Sequence, residues 1–337
     1  MSTRCHIVSR CIPMVFAAAI LAACGGGGGS GGSKSTMGAL TLGITDAPVD
    51  AADEVVVQFT GVELKPKGGQ AFSINFAAPK TIDLLALQGT NRATLLDGEQ
   101  VQAGEYEWMR LKVNADPNVA GDSYITIAGA QCELRIPSGD ETGLKMIRGF
   151  TIGVGTTTDF TVDFDLRRSI VQPPGQHTSV PTCDGQAFLL KPVLRVVDNL
   201  QVGAVSGLVD ANLVTAQCAS STTPPYPGNV YLYQVVAPAT DVTPDDYDGV
   251  LNDVNGADPI ASAMVDPATF RYMLGFVPVG NYEVAYTCDL DDAVVDADVI
   301  PAPPAVGETV DFTPVAGAPV TVQANQTATV DFQVPTP

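Results

Sequence analysis

From Asp159 to Leu166 the chain reads Asp-Phe-Thr-Val-Asp-Phe-Asp-Leu, polar at every odd position and apolar at every even one. Side chains alternate across a β-strand but repeat every 3.6 residues around a helix, so this period of two selects a strand with one core face and one wet face. On the wet face Asp163 and Asp165 stand about 7 Å apart, a placement that suits solvated or cross-strand-paired carboxylates better than ligands. Other runs repeat the signal. Val55, Val57 and Phe59 set one apolar phase and Val62 and Leu64 the other, which predicts a bulge at Gly61. Lys65 to Gly69 reads as a turn, Phe72, Ile74 and Phe76 as the next strand, and Thr81 to Leu87 as a short strand and helical turn capped by Asp83 and stopped by Gly89. In the run Glu107 to Val113, Met109, Leu111 and Val113 face one way and Trp108, Arg110 and Lys112 the other. Ala187 to Val197 is expected as one further strand.

The second half is also extended. Val230 to Val236 forms one run, and Pro278 and Gly280 supply a turn between Tyr272 to Val277 and Tyr282 to Tyr286. Val320 to Val322 and Thr327 to Phe332 read as a final hairpin across Gln323 to Gln326. The predicted fold class is therefore mainly β: two antiparallel β-sandwich-like domains, spanning residues 38–199 and 203–334. A hydrophobic content of 45% supports burial in a chain of this length.

Ahead of these domains, Arg4 and Arg10 precede an apolar run from Ile12 to Ala23, the length of a secretory signal and too short for a bilayer-spanning helix. Leu21-Ala22-Ala23-Cys24 resembles the bacterial lipoprotein box. That resemblance implies removal of residues 1–23 as a signal peptide, diacylglycerol on Cys24, and fatty acyl groups such as palmitate on the new terminus. Residues 24–37 then form the lipidated cysteine and a glycine- and serine-rich flexible tether. Gly25, rather than aspartate, follows the cysteine, which by the same resemblance implies the outer membrane of a bacterial cell envelope.

The formal charge of -20 becomes -22 once Arg4 and Arg10 leave. A phosphate backbone would be repelled, so nucleic acid is not an expected partner. The expected contacts are the membrane through the lipid, and an envelope protein or glycan. Of seven cysteines, Cys5, Cys11 and Cys24 belong to the leader and anchor. Cys132, Cys183, Cys218 and Cys288 remain, two in each domain, and predict the disulfides Cys132 to Cys183 and Cys218 to Cys288 in an oxidising compartment.

Several blocks of the first domain occur in an order similar to the DUF4382 domain of bacterial lipoproteins: Gly43-Ile44-Thr45-Asp46-Ala47-Pro48, Phe59 to Leu64, Thr81 to Gly89, Leu134 to Gly139, Gly149-Phe150, Phe164-Asp165-Leu166-Arg167 and Leu190 to Arg195. The resemblance implies no catalytic residues. The second domain resembles the carboxypeptidase-regulatory-like or transthyretin-like β-sandwich, grouped with carbohydrate-binding-like folds, through Phe276, Pro278, Gly280 and Tyr282 and the terminal Thr329 to Phe332.

Candidate sites are few. Tyr106, Trp108, Arg110 and Lys112 offer an aromatic and basic patch for a sugar or a protein partner, against burial of the same face under a loop or the other domain. Asp245, Asp246, Asp248, Asp253, Asn255 and Asp258 lie in one acidic insertion, and Asp289, Asp291, Asp292, Asp296 and Asp298 in another. Calcium can gather oxygen ligands from such loops, yet the spacing is not that of an EF-hand, and solvated loops are the simpler reading. No cofactor is expected beyond that calcium alternative. His177 stands alone in a loop after His6 is lost with the leader. No nucleophile elbow, zinc-binding histidine pair or phosphate-binding glycine loop is present, which leaves a distant carboxylate pair of glycosidase type as the one enzymatic option. The preferred reading is a non-catalytic, envelope-anchored structural or interaction protein, with a carbohydrate-binding or calcium-dependent adhesion module as the alternative.

Overall fold

The computed structural model describes residues 36–47, 52–115, 122–136, 143–146, 149–171, 188–218, 226–236, 239, 242–244, 259–289 and 311–334. The fold below is that of the described residues within the unit 35–337.

Among the described residues, thirteen strands build the first sandwich. They are β1 Met37–Ala47, β2 Glu54–Pro66, β3 Phe72–Asp83, β4 Ala93–Gln102, β5 Gly104–Asn114, β6 Tyr124–Ile127 and β7 Ala130–Arg135, followed by β8 Leu144–Met146, β9 Phe150–Ile152, β10 Thr157–Asp165, β11 Ile170–Val171, β12 Phe188–Leu190 and β13 Leu194–Asp198. One sheet has the order β13-β10-β1-β4; the other, of nine strands, runs β11-β12-β7-β6-β2-β5-β8 with β3 on β2 and β9 on β5. Leu40, Leu42, Ile44, Val162 and Phe164 of the first sheet meet Val57, Phe59, Leu64, Met109 and Leu111 of the second, all essentially inaccessible to water. Phe59 and Phe164 touch edge to face across the layers at 6.2 Å, and burial of each such ring contributes about 1.5–3 kcal/mol.

Two features of β2 follow directly from its sequence. Its ladders with β3 and β5 both shift register between Phe59 and Gly61, so the extra residue turns both apolar phases toward one core. Glycine is required there because a Cβ at Gly61 would lie 2.5 Å from the Ile74 carbonyl oxygen. The Asp83 carboxylate accepts from the Leu85 amide at 3.1 Å and opens a single 3-10 turn, Leu85–Leu87. Gly89, at φ +69°, then reverses the chain.

Among the described residues, seven strands make the second sandwich: β14 Val202–Leu208, β15 Asn229–Gln234, β16 Ala261–Met264, β17 Arg271–Pro278, β18 Gly280–Thr287, β19 Thr313–Val322 and β20 Thr327–Thr329. Sheets β17-β14-β20 and β16-β15-β18-β19 enclose a core of Val205, Leu274, Val230, Leu232, Val284 and Tyr286. Two short helices, α1 Leu166–Ser169 and α2 Ala211–Gln217, begin with aspartate caps, Asp165 accepting from the Arg168 amide and Asp210 from Asn212. Most ladders are antiparallel, but β1 with β10, β7 with β12 and β14 with β20 run parallel.

Three expectations change. The terminal hairpin does not form: β19 joins β18 while β20 crosses to pair with β14, because Phe332 fills the core against Tyr272 and Tyr286 at 5.8 and 6.0 Å. The strand expected from Ala187 to Val197 is broken at Lys191 and Pro192, so β12 and β13 lie in different sheets; proline cannot donate to a continuing ladder. Finally, the odd face of β10 is wet only in part: Asp159 keeps a third of its side chain exposed and Asp163 pairs across the strands with Arg195, as expected for solvated or cross-strand-paired carboxylates, but Thr161 departs from the expectation. Thr161 is wholly buried and bonds Asn199 at 2.9 Å and Arg92 at 3.2 Å, while Asp159 takes both Arg92 amino groups at 2.9 and 3.2 Å.

Candidate functional site

The patch read from β5 is only partly assembled. Trp108 and Arg110 face outward from the nine-stranded sheet, and Lys112 shares that face, bonding Asn75 at 2.8 Å. Tyr106 does not: it is buried, with its ring stacked on Phe150 at 5.0 Å and its hydroxyl donating to the Gln102 carbonyl at 2.6 Å. A register shift between Lys65 and Pro66 opposite Trp108 and Tyr106 accounts for the correction. One extra residue, Glu107, turns Tyr106 to the core.

Lys145 of β8, unnoticed in the sequence, completes the face. It lies opposite Arg110, and its ammonium sits 4.6 Å from the Trp108 ring centroid, with the Arg110 guanidinium at 4.9 Å. Arg110 also pairs with Glu63 of β2 at 2.7 Å. With cations already over the indole, this tryptophan presents charge rather than a bare stacking surface.

A second cluster lies where the two sandwiches meet, and it gathers the polar residues of the first domain's distinctive blocks. Parallel pairing of β1 with β10 sets Thr45 beside Asp163, and antiparallel pairing with β13 sets Asp163 beside Arg195. The Thr45 hydroxyl lies 2.8 Å from the carbonyls of both Leu87 and Asn91. Arg195 Nε donates to Asp163 at 3.1 Å. Arg167, the largest fully buried side chain, carries its guanidinium to 5.4 Å from the Tyr231 ring of the second sandwich. Tyr231 and Tyr233, both inaccessible, hold Phe312 edge to face on the same outer side of their sheet.

The seam around these groups is tight. Thr45, Asp46, Asp163, Arg195, Ser262 and Gly275 help line a crevice of about 20 Å³, room for little more than one water. A Cβ on Gly275 would lie 1.9 Å from the Gly89 carbonyl oxygen, so the backbones touch there. Burial pushes the Asp165 carboxyl up to about 7, with Asp163 adding to the rise and the Arg168 amide, Arg168 and Arg167 opposing it. The odd-face aspartates are thus a paired group and a helix cap. A wider cleft of about 410 Å³ opens nearby between Phe150, Phe160, Val196, Asp198, Val202 and Pro278.

Cys218 and Cys288 form a disulfide with Cα atoms 5.2 Å apart. The Tyr286 hydroxyl rests on both sulfurs at 3.1 and 3.0 Å and donates to the Pro227 carbonyl at 2.8 Å. Cys132 is also disulfide-bonded; Cys183, the partner expected for it, lies outside the described residues. So do Cys24, His177, and the calcium candidates Asp245, Asp246, Asp248, Asp253, Asn255 and Asp258. Among the described residues no group of three or more His, Cys, Asp and Glu is placed to hold a metal ion, and no helix is long and apolar enough to cross a membrane.

Residues 37–189 match the family model described as Domain of unknown function (DUF4382). No curated protein matches the chain. Similar solved structures include a leucine-rich repeat protein from Bacteroides thetaiotaomicron, 12% identical with a TM-score of 0.20, covering 90% of this chain and 26% of that one. The Bacillus anthracis TIE protein is 9% identical with a TM-score of 0.18, covering 88% and 34%. The minor pilin GBS52 of Streptococcus agalactiae is 12% identical with a TM-score of 0.18, covering 88% and 97%. The chain spans about a quarter to a third of the first two, and at these scores the overlaps carry nothing over to it.

Proposed function

We propose that this chain is a lipid-anchored protein of the bacterial envelope, most simply the outer membrane, with a non-catalytic structural or protein-interaction role. The observation that carries the reading is the use made of the polar residues in the DUF4382-like blocks. Thr45 is engaged with the Leu87 and Asn91 carbonyls, Asp163 with Arg195, Asp165 with a helix end, and Arg167 with Tyr231. Three of these contacts tie strands and a helix end of the first sandwich together, the Arg167 contact alone reaches the second, and groups held in this way are not presented to a substrate.

Acylation of Cys24 follows from the leader pattern, and the glycine-rich stretch after it serves as the tether. The second sandwich is read as the carboxypeptidase-regulatory-like module, with Tyr282 bonding the Pro278 carbonyl at 2.8 Å in its Phe-x-Pro-x-Gly-x-Tyr element. Such a module adds a rigid spacer or a further contact surface and implies no sugar ligand by itself. Mild cross-linking of intact cells followed by purification tests the role: a reproducible envelope partner supports it, and recovery of the chain alone, while other envelope proteins cross-link, rejects it. Palmitate labelling lost in Cys24→Ser supports the anchor; labelling that persists in this variant rejects it.

A further inference from the structure

Thr36, the first described residue, lies at one end of the nine-stranded sheet. The Thr36 carbonyl accepts from the Ala103 amide at 2.7 Å, and the Lys67 amide donates to the Glu105 carbonyl at 2.9 Å. Residues 66–69 and 102–106 there line an open notch of about 390 Å³. From that end the outer face rises through Lys65 opposite Trp108, then Glu63 opposite Arg110, with Lys145 beside it, and on to Lys112. On it and at its end, Lys65, Lys67, Arg110, Lys112 and Lys145 outnumber Glu63, Glu105 and Glu107, of which Glu105 pairs with Lys67 and Glu107 accepts from the Gly68 amide, although the chain as a whole is strongly acidic. The distribution of charge sharpens the contrast. Residues 201–337 hold 17 Asp and Glu and a single cation, Arg271, so -16 of the formal -20 belongs to them.

We propose that this Lys65, Trp108, Arg110 and Lys145 face is where the tethered protein rests on an anionic membrane surface, its cations engaging lipid phosphates. The proposal rests on the lipid-anchor reading. Residues 24–35, as a glycine-rich chain, have an r.m.s. reach of about 20 Å, which holds the end carrying Thr36 close to the bilayer and keeps the local concentration of headgroups high. Lysine and arginine gain from the negative surface potential, and an amphipathic indole favours the headgroup level. The acidic second half is repelled by the same potential, which disfavours approach through the second sandwich. Glu63 orders Arg110 without cancelling the surplus from its neighbours.

Trp108 is the single tryptophan and therefore reports on its own face. The full-length acylated protein is to be reconstituted on phosphatidylcholine vesicles with and without phosphatidylglycerol, each carrying a headgroup-level nitroxide quencher. Quenching of Trp108 should be at least about twofold greater on the anionic vesicles and should fall back as salt screens the surface. The doubly substituted Lys112→Glu, Lys145→Glu variant should lose that difference, and Arg271→Glu should keep it. Equal quenching on both vesicles, or a difference that survives the double substitution, overturns the proposal. Flotation with the neutral vesicles reads the anchor independently: a protein that floats but shows no anionic preference refutes the docking face alone. One that fails to float refutes the anchor, while anionic vesicles added to it still test the face.

Discussion

The hydroxyls of Tyr106 and Tyr282 do the same thing in the two sandwiches: each donates to the carbonyl four residues upstream, Gln102 at 2.6 Å and Pro278 at 2.8 Å. Each sits just past the corner where the chain leaves one sheet for the other, β4 to β5 and β17 to β18. The sequence around them repeats as well, Val101-Gln102-Ala103-Gly104-Glu105-Tyr106-Glu107 and Val277-Pro278-Val279-Gly280-Asn281-Tyr282-Glu283. Replacing either tyrosine by phenylalanine leaves the ring in the core but strands a carbonyl. Each substitution should cost about 1–2 kcal/mol in urea unfolding. The two losses should add, since they fall in separate cores.

Asp165 predicts a pH dependence. Its folded value, about 7, lies above the ordinary carboxylate value of 3.8. The folded state therefore holds the proton more tightly, and Asp165 contributes stability that is complete below about pH 4 and lost as pH rises through about 7. Asp163, Arg167 and Arg168 face the same carboxyl. Asp165→Asn keeps an acceptor for the Arg168 amide and has nothing to deprotonate. Relative to the parent it should gain up to about 4 kcal/mol between pH 4 and pH 8. Parallel stability profiles for the two proteins would refute the assignment.

How much of this was legible depended on how local the cause was. The bulge at Gly61 is written in the change of apolar phase within β2, and Asp83, which accepts from the Leu85 amide although Leu84 holds the cap position, and Gly89 lie within a few residues of the turn they flank. The Cys218 to Cys288 bridge follows from counting cysteines by half. Tyr106 was misplaced because alternation was extended through Glu107, when the Val-x-x-Gly-x-Tyr pattern repeated at Val277 to Tyr282 marks it as a corner residue. Thr161 looked wet because its cover comes from Arg92 and Asn199, far away in sequence. Lys145 joins Trp108, and Arg167 joins Tyr231, only through strand pairing and sandwich docking, which no local period encodes.

The seam between the sandwiches should govern cooperativity. Gly275 has no space for a Cβ against the Gly89 carbonyl, and Arg167 is wholly buried beneath Tyr231. Gly275→Val should force the backbones apart, and Arg167→Ala should empty a large, fully buried side chain from the junction at a cost of about 2–5 kcal/mol. Calorimetry should show one transition for the parent and two for each variant, the upper one retaining the more stable sandwich. A single transition shifted down in temperature for both variants would mean that the seam is not what couples the halves.

The disulfide should matter most to the second sandwich. Cys218 ends α2 and Cys288 follows β18, 70 residues apart in sequence. Closing a loop of that size restricts the unfolded chain by about 4 kcal/mol. The paired Cys218→Ser and Cys288→Ser replacement should therefore lower the unfolding midpoint of the half that contains Tyr286, while near-ultraviolet signals from Trp108 in the first half persist to higher denaturant. The Tyr286 hydroxyl, now resting on both sulfurs, keeps the Pro227 carbonyl as acceptor in the variant, so its ring stays in the core. An unchanged midpoint would show that the bridge braces nothing the fold does not already hold.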